Sequence, residues 1–273
     1  MKKSLGIALI SCGLLLSGCG KEETVSKEEQ VEQAKQAVRD SFDAEQAEQE
    51  RQAKENAKIK IKTVDEVNYP FYDDIMEVNS VYYAAIIENT SKKTVDVSEI
   101  SLAFLDKKGT VIGSGDSSSV WVSPSVLKPG QKAYVLNESE INSAVEDYDK
   151  TEVTFSPEIT EERAKKLPIE GESVDGDEDT IFLNGKVTNT SDVPTDYITI
   201  AAALYDKNDK FVGVTYGQVQ DTLNPKNSVA FQTDAHNFTG HIKGELDRYE
   251  VFAYMYKWPE GTAGEGGDGE VTE

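Results

Sequence analysis

Short apolar segments separated by turn residues fill most of the chain after residue 60, and they occur in two similar series. Residues 81–87 precede Asn89-Thr90-Ser91, and residues 181–187 precede Asn189-Thr190-Ser191. The same order continues in the paired segments Leu105-Asp106 and Tyr205-Asp206, Ile112-Gly113 and Val212-Gly213, and Leu127-Lys128-Pro129 and Leu223-Asn224-Pro225. Self-similarity at a spacing of about 100 residues indicates two copies of one structural unit.

Each copy has the pattern of a β-sandwich. Its apolar runs are short and rich in β-branched and aromatic residues, and no long amphipathic helix separates them. The glycines at 113 and 213 predict a β-bulge or a close backbone approach in the third strand. We therefore expect an all-β fold with two tandem immunoglobulin-like sandwiches, the first over residues 65–157 and the second over 178–258.

The segments outside the two copies have a different composition. Residues 19–64 are rich in Ala, Glu, Gln and Lys, with a thin apolar stripe at Val31, Ala34, Val38 and Phe42, which predicts a partly helical charged tether. A coiled-coil segment is the alternative. Residues 158–177 are expected to form an acidic linker, with a helical turn over 161–166, and residues 259–273 a disordered tail.

The first 19 residues have the pattern of an export signal. Lys2 and Lys3 precede an apolar run over residues 5–16, which is too short to span a bilayer. The following Leu16-Ser17-Gly18-Cys19 resembles the lipobox of bacterial lipoproteins. That resemblance implies a signal peptide over 1–18, a diacylglyceryl group on Cys19, and anchoring at the extracytoplasmic face of the cell membrane. A plain secreted protein with an accidental cysteine is the alternative.

The charge and the cysteine content argue against several classes of partner and against disulfide bonds. The formal net charge of the 273-residue chain is −22, and it becomes −24 once residues 1–18 and their two lysines are removed. A chain this acidic is not expected to bind nucleic acid or to adsorb directly to anionic lipid. Attachment to a membrane would therefore depend on Cys19. The only other cysteine is Cys12, inside the signal, so the mature chain would have neither a disulfide nor a free thiol.

A second resemblance concerns the later copy. Its residues Leu204, Tyr205 and Asp206, preceded by Asn189-Thr190-Ser191 and followed by Gly213, are similar to the FxLYD-type domain of bacterial extracytoplasmic proteins. The resemblance implies an immunoglobulin-like sandwich in which these residues are structural, with Tyr205 packing on a hairpin and Asp206 opening a turn. It implies no catalytic residues, and the first copy retains only the aspartate, at Asp106.

The sequence contains few candidate metal-binding or catalytic residues. The two histidines, His236 and His241, lack a third metal ligand, and the acidic segment 175–179 lacks the Gly and Glu of a calcium loop. No Gly-x-Ser-x-Gly motif or glycine-rich phosphate loop occurs. We therefore expect no metal, no cofactor and no enzymatic activity.

One stretch stands out near the end of the second copy. Alternation in residues 251–258 places Phe252, Tyr254, Tyr256 and Trp258 on one face of a strand. Such a row could be an exposed platform for a sugar or peptide, or it could pack against the other copy. The sequence thus predicts a lipid-anchored, non-enzymatic protein that displays two binding domains to an envelope protein or glycan. The alternative is a carbohydrate- or solute-capture lipoprotein that uses the aromatic row.

Overall fold

The computed structural model describes residues 27–176, 180–233, 236–237 and 246–257, and the fold of these residues is mostly β. The chain divides into a unit that ends at Arg51 and a compact unit that begins at Gln52. Helix α1 spans Lys27–Asn56. Its high content of Ala, Glu, Gln and Lys favours a helix, and pairs such as Glu32–Lys35 and Glu48–Arg51 join successive turns.

The first copy is a sandwich of two antiparallel sheets. The larger sheet, sheet A, has the order β1-β2-β8-β6, and the smaller one, sheet B, has the order β5-β4-β9. A short third sheet has the order β10-β3-β7. The strands are β1 (Ile61–Asp73), β2 (Val78–Asn89), β3 (Val95–Asp96), β4 (Ile100–Asp106), β5 (Val111–Gly115), β6 (Trp121–Ser123), β7 (Val126–Leu127), β8 (Lys132–Glu140), β9 (Tyr148–Phe155) and β10 (Glu158–Ile159), with a 3₁₀ turn at Val145–Asp147.

The second copy repeats this plan. Sheet C has the order β11-β18-β14-β15, and sheet D has the order β12-β13-β16, with β17 also paired to β13. The strands are β11 (Arg163–Leu167), β12 (Ile169–Gly176), β13 (Thr180–Thr188), β14 (Ile198–Asp206), β15 (Phe211–Val219), β16 (Ser228–Gln232), β17 (His236–Asn237) and β18 (Leu246–Lys257).

The same buried asparagine organises the same loop in both copies. The Asn89 side-chain amide donates to the carbonyl oxygens of Lys93 (2.8 Å) and Leu127 (2.9 Å), and its Oδ1 accepts from the backbone N–H of Ser91. Asn189 donates to Val193 (2.9 Å) and Leu223 (2.8 Å) and accepts from Ser191. Matching contacts at matching positions confirm the repeat that the sequence indicates.

The third strand of each copy contains the predicted bulge. The pairing of β4 with β5 shifts register between Phe104 and Leu105, and the pairing of β14 with β15 shifts between Leu204 and Tyr205. At Gly113 the backbone approach is also close, because a Cβ there would lie 2.7 Å from the carbonyl oxygen of Glu140. Each bulge therefore lies beside its glycine.

The two sandwiches share a hydrophobic core across sheets A and C. Alternate residues of β2 point in opposite directions: Tyr83 and Ile87 face sheet B, whereas Tyr82 and Ile86 belong to a cluster with Ala201 and Val214 of sheet C. Both faces of β2 are consequently buried over most of its length. The order of layers in this compact unit is sheet B, sheet A, sheet C and sheet D.

Residues 158–177 differ from the acidic linker and helical turn that the sequence predicts. Strand β11 pairs with β18 and buries Leu167, and β12 pairs with β13, so the segment supplies an edge strand to each sheet of the second sandwich. An edge strand has one solvated side and therefore carries charged residues such as Arg163 and Lys166. These residues interrupt the alternation of apolar and polar positions by which a strand is predicted from sequence. For the same reason the first sandwich begins earlier than predicted, with β1 at Ile61 rather than at residue 65.

Candidate functional site

Two predicted site residues, Cys19 and Trp258, lie outside the described residues, as does His241. The assignment of Cys19 as the lipidation site therefore rests on the sequence alone. Within the described part of the chain, α1 is too polar to cross a membrane, and no other helix there is long enough to do so.

The aromatic row of β18 faces the first sandwich. The Phe252 ring stacks on Tyr134 of β8 at 4.6 Å between centroids, and Tyr254 is buried. The Lys166 ammonium covers the Phe252 ring at 4.6 Å from its centroid. The candidate ligand face of Phe252, Tyr254, Tyr256 and Trp258 is thus a packing surface over its three described members. A sugar cannot stack on rings that another sheet already covers, so the carbohydrate-capture alternative loses its platform.

Hydrogen bonds cross the same interface at its centre. The Tyr82 hydroxyl donates to the carbonyl oxygen of Val214 and accepts from the N–H of the same residue, both at 2.8 Å. The Tyr69 hydroxyl donates to the carbonyl oxygen of Val212 at 2.9 Å. Burial raises the pKa of Tyr82, which therefore stays neutral and can donate.

A second set of polar contacts joins β6 to sheet C. The hydroxyls of Ser123 and Thr199 lie 2.7 Å apart, Thr199 lies 3.1 Å from the Tyr256 hydroxyl, and that hydroxyl accepts from the N–H of Ser125 at 3.2 Å. Beside them, Trp121 stacks on Tyr216 at 4.5 Å. Directional contacts of this kind fix the orientation of the two sandwiches, whereas apolar burial alone would permit several.

The four motif residues occupy structural positions. Leu204 is fully buried. The Arg248 guanidinium carbon lies 3.9 Å from the centroid of the Tyr205 ring. The Asp206 carboxylate accepts from the N–H groups of Asn208 (2.8 Å) and Lys210 (2.9 Å), so it closes the hairpin, and these bonds lower its pKa. Gly213 lies at the bulge. Tyr205 thus packs against Arg248, and Asp206 bonds within its own turn.

The carboxylates of the described residues show no metal-binding arrangement, since no group of three or more potential ligands converges among them. Asp106 and Asp116 have pKa values lowered by hydrogen bonds, chiefly from Thr110 and Ser118 respectively, and both lie in exposed turns. Hydrogen bonds that lower the pKa of a carboxylate in a turn stabilise that turn, and they do not indicate acid–base chemistry.

An open concavity of about 580 Å³ lies where the chain enters the first sandwich. Four apolar residues, two lysines and a threonine line it: Ile59, Ile61, Phe155, Pro157, Lys60, Lys62 and Thr90. The sequence did not point to it, because residues 59–62 fall within the predicted tether and Phe155 lies nearly a hundred residues further on. Only the pairing of β1 with β2 brings these residues together.

Further lysines lie at the same end of the first sandwich as this concavity. Lys62 lies beside Glu88, which lies beside Lys132, in neighbouring positions of β1, β2 and β8. The loop that Asn89 organises adds Lys92 and Lys93, and the turn before β8 adds Lys128. Carboxylates lie at the same end, since Ser156 donates to the backbone oxygen of Glu99 and Glu158 pairs with Asp96, so this end carries charges of both signs.

Comparisons with known proteins identify no relative by sequence: no protein-family model and no curated protein matches the chain. Among solved structures, Bacteroides uniformis beta-glucuronidase 2 bound covalently to cyclophellitol-6-carboxylate aziridine is similar with a TM-score of 0.18 and 9% identity, over 73% of this chain and 32% of that one. A beta-glucuronidase from glycoside hydrolase family 2 has a TM-score of 0.17 and 13% identity, over 59% and 20%. This chain spans a third or less of those enzymes, and likeness at this level carries no argument.

Proposed function

We propose that this protein is a bacterial lipoprotein, held at the extracytoplasmic face of the cell membrane through Cys19, whose two fused β-sandwiches form a non-enzymatic binding unit. The observation that carries the proposal is the sequence Leu16-Ser17-Gly18-Cys19 after a basic start and a short apolar run. A thioether-linked diacylglycerol supplies two acyl chains, which is the number required for stable attachment.

The rest of the chain is compatible with this role. Beyond residue 19 the sequence contains no cysteine, so an exported protein of this kind needs no disulfide for folding. Helix α1 has 30 residues and would be about 45 Å long, which suits a spacer between an anchor and a binding unit. The interface between sheets A and C holds the two sandwiches in one orientation, as a unit that presents a composite surface requires.

Metabolic labelling with a clickable fatty acid, in cells that express the wild type or Cys19→Ala, tests the anchor. We expect the wild type to carry label and to sediment with membranes, and the variant to lose both. Cys12→Ala is the matched control, because it also removes a cysteine but should retain label and membrane association. A wild type without label, or a Cys19→Ala variant that keeps it, would contradict the proposal.

A further inference from the structure

We propose that the turn between β1 and β2 is a docking surface for a protein partner that offers an apolar recess bordered by basic side chains. We call residues 72–77 the hairpin tip. The inference rests on the proposed binding role and deepens it, since it names one contact surface of the binding unit and the chemistry of the partner. It does not depend on the anchor at Cys19.

The first argument is the exposure of two adjacent apolar residues. Ile75 is 89% exposed and Met76 is 69% exposed, the highest values among the large apolar residues that the structure describes. Tyr72, at the end of β1, is half exposed. Single apolar residues on a protein surface are ordinary, whereas neighbouring apolar residues that are exposed together mark a contact site. Methionine is also common at binding surfaces, because its side chain adapts to the shape of a partner.

The second argument is the order of the turn that carries these residues. The Asp73 carboxylate accepts hydrogen bonds from the N–H of Ile75 at 2.8 Å and from the N–H of Met76 at 3.0 Å. Glu77 follows with a φ of 57°, a left-handed conformation that residues other than glycine seldom adopt. A turn that is ordered before binding loses little conformational entropy when a partner docks.

The third argument comes from the other copy, in which the equivalent hairpin is polar. Strands β12 and β13 pair as β1 and β2 do, and Asn189 matches Asn89 at an offset of 100 residues. At the same offset Ile75 and Met76 correspond to Asp175 and Gly176, and residues 177–179 are all acidic. The fold can therefore connect these strands without apolar residues, and folding gives no reason to expose them at the hairpin tip.

The charge around the hairpin tip indicates the character of the partner. No lysine, arginine or histidine occurs at residues 63–91 or 133–149. These stretches meet at one end of the first sandwich, where the Ile141 N–H donates to the carbonyl oxygen of Asn79 and the 3₁₀ turn contacts β1. Their exposed carboxylates at this end are Asp74, Glu77, Glu140, Glu146 and Asp147.

Few basic side chains of the first sandwich offset these carboxylates. Lys107 and Lys108, in the turn between β4 and β5, lie at the same end, and the Lys107 ammonium donates to the carbonyl oxygen of Glu146 at 2.9 Å. Lys150 forms an ion pair with Glu152. Basic side chains around an apolar recess would match this surface, whereas the phosphates of an anionic membrane, or the same tip of a second copy, would be repelled by it.

Photo-crosslinking with the full chain tests the proposal. Benzoylphenylalanine takes the place of Asp74, which leaves Ile75 and Met76 unchanged, and an unfractionated lysate of the expressing cells is illuminated. We expect one discrete adduct with another protein. The same probe in place of Lys207, in the exposed turn between β14 and β15, is the matched control and should give no such adduct. Because the lysate is not fractionated, the result is independent of anchoring, and either proposal can fail alone.

Competition by purified protein tests the apolar contact. The competitor is the unlipidated polypeptide, residues 19–273 with Cys19→Ala, and the measurement is the concentration that halves the yield of adduct. Adding Ile75→Ser and Met76→Ser to the competitor should raise this concentration at least about tenfold. The control removes two exposed apolar side chains elsewhere, through Val64→Ser and Val111→Ser, and should stay within about twofold of the parent competitor.

A reversal of charge tests the basic character of the partner. The competitor with Asp74→Lys and Glu77→Lys should also need a concentration at least about tenfold higher. Asp196→Lys with Asp221→Lys makes the same change of charge at exposed positions of the second sandwich, and it should stay within about twofold of the parent.

Any of four results would overturn the proposal. The first is the absence of an adduct from the probe at position 74. The second is an adduct formed only with lipid or with another copy of this chain. The third is a serine variant that competes as well as the parent. The fourth is a charge-reversed variant that does so, which would show that the partner does not present basic side chains to the hairpin tip.

Discussion

Asn89 and Asn189 show how one residue can determine a loop. Each side chain is fully buried and joins three backbone groups from two segments that are at least 30 residues apart in the chain. A buried amide that loses these partners, or backbone carbonyls that lose the amide, would remain without hydrogen bonds and cost more than the bonds themselves contribute.

Substitution of either asparagine should therefore destabilise the protein strongly. We expect Asn89→Ala and Asn189→Ala each to lower the free energy of unfolding by about 2–4 kcal/mol, measured by chemical denaturation. Asn142→Ala, at an exposed position, is the control and should change stability by less than about 0.5 kcal/mol. Equal effects at all three sites would show that the buried contacts do not stabilise the fold.

Strand β11 illustrates how an element can be hidden from sequence analysis. Residues 163–167 contain three basic residues and lie in a segment with abundant acids, so their composition suggests a linker. In the structure Leu167 is fully buried, and the strand pairs residue by residue with β18. Its β conformation comes from the partner strand and not from local propensity.

A proline in this strand distinguishes a linker from a sheet element. Lys165 pairs with Met255, so we expect Lys165→Pro to disturb the edge of sheet C and to lower the midpoint of thermal unfolding by several degrees. Glu161→Pro, in the non-strand segment just before β11, should leave the midpoint nearly unchanged. If Lys165→Pro were equally harmless, residues 163–167 would behave as the linker that the sequence predicts.

At the scale of the whole molecule, the central fact is that sheets A and C cover each other. Tyrosines are prominent in this interface: Tyr82, Tyr134, Tyr254 and Tyr256 all contribute. Burial raises the pKa of Tyr134 above its ordinary value of 10.0, and burial does the same for Tyr82. The interface therefore holds phenols that ionise only with difficulty while the protein is folded.

This arrangement predicts a loss of stability in alkali. Above pH 10 the unfolded chain releases phenolic protons that the folded protein retains, so the free energy of unfolding should fall as pH rises, by up to about 1.4 kcal/mol per pH unit for each such tyrosine. Tyr134→Phe keeps the stack on Phe252 and removes one phenol, so its slope above pH 10 should be shallower while stability at pH 7 changes little. A wild type with constant stability from pH 9 to 12, or an unchanged slope in the variant, would contradict the prediction.

Sequence alone determined the fold class and the internal repeat, because strand periodicity and turn chemistry act over a few neighbouring residues. The packing role of Tyr205 and the turn role of Asp206 were expected from a resemblance to a known domain. The Asn-Thr-Ser loops and the bulges beside Gly113 and Gly213 are of the same local kind. Each could be inferred without knowing what lies on the other side of the sheet.

Only the tertiary structure decided whether the outer face of each strand contacts solvent or another sheet. Phe252 and Tyr254 have the same alternation whether water or Tyr134 covers them, so the pattern could not distinguish a ligand platform from an interface. Lys62 and Lys132 likewise lie far apart in the chain and share one surface only through the pairing of β1, β2 and β8. Contacts between distant residues depend on how strands pair and how sheets stack, and neither can be inferred from the residue pattern of a single strand.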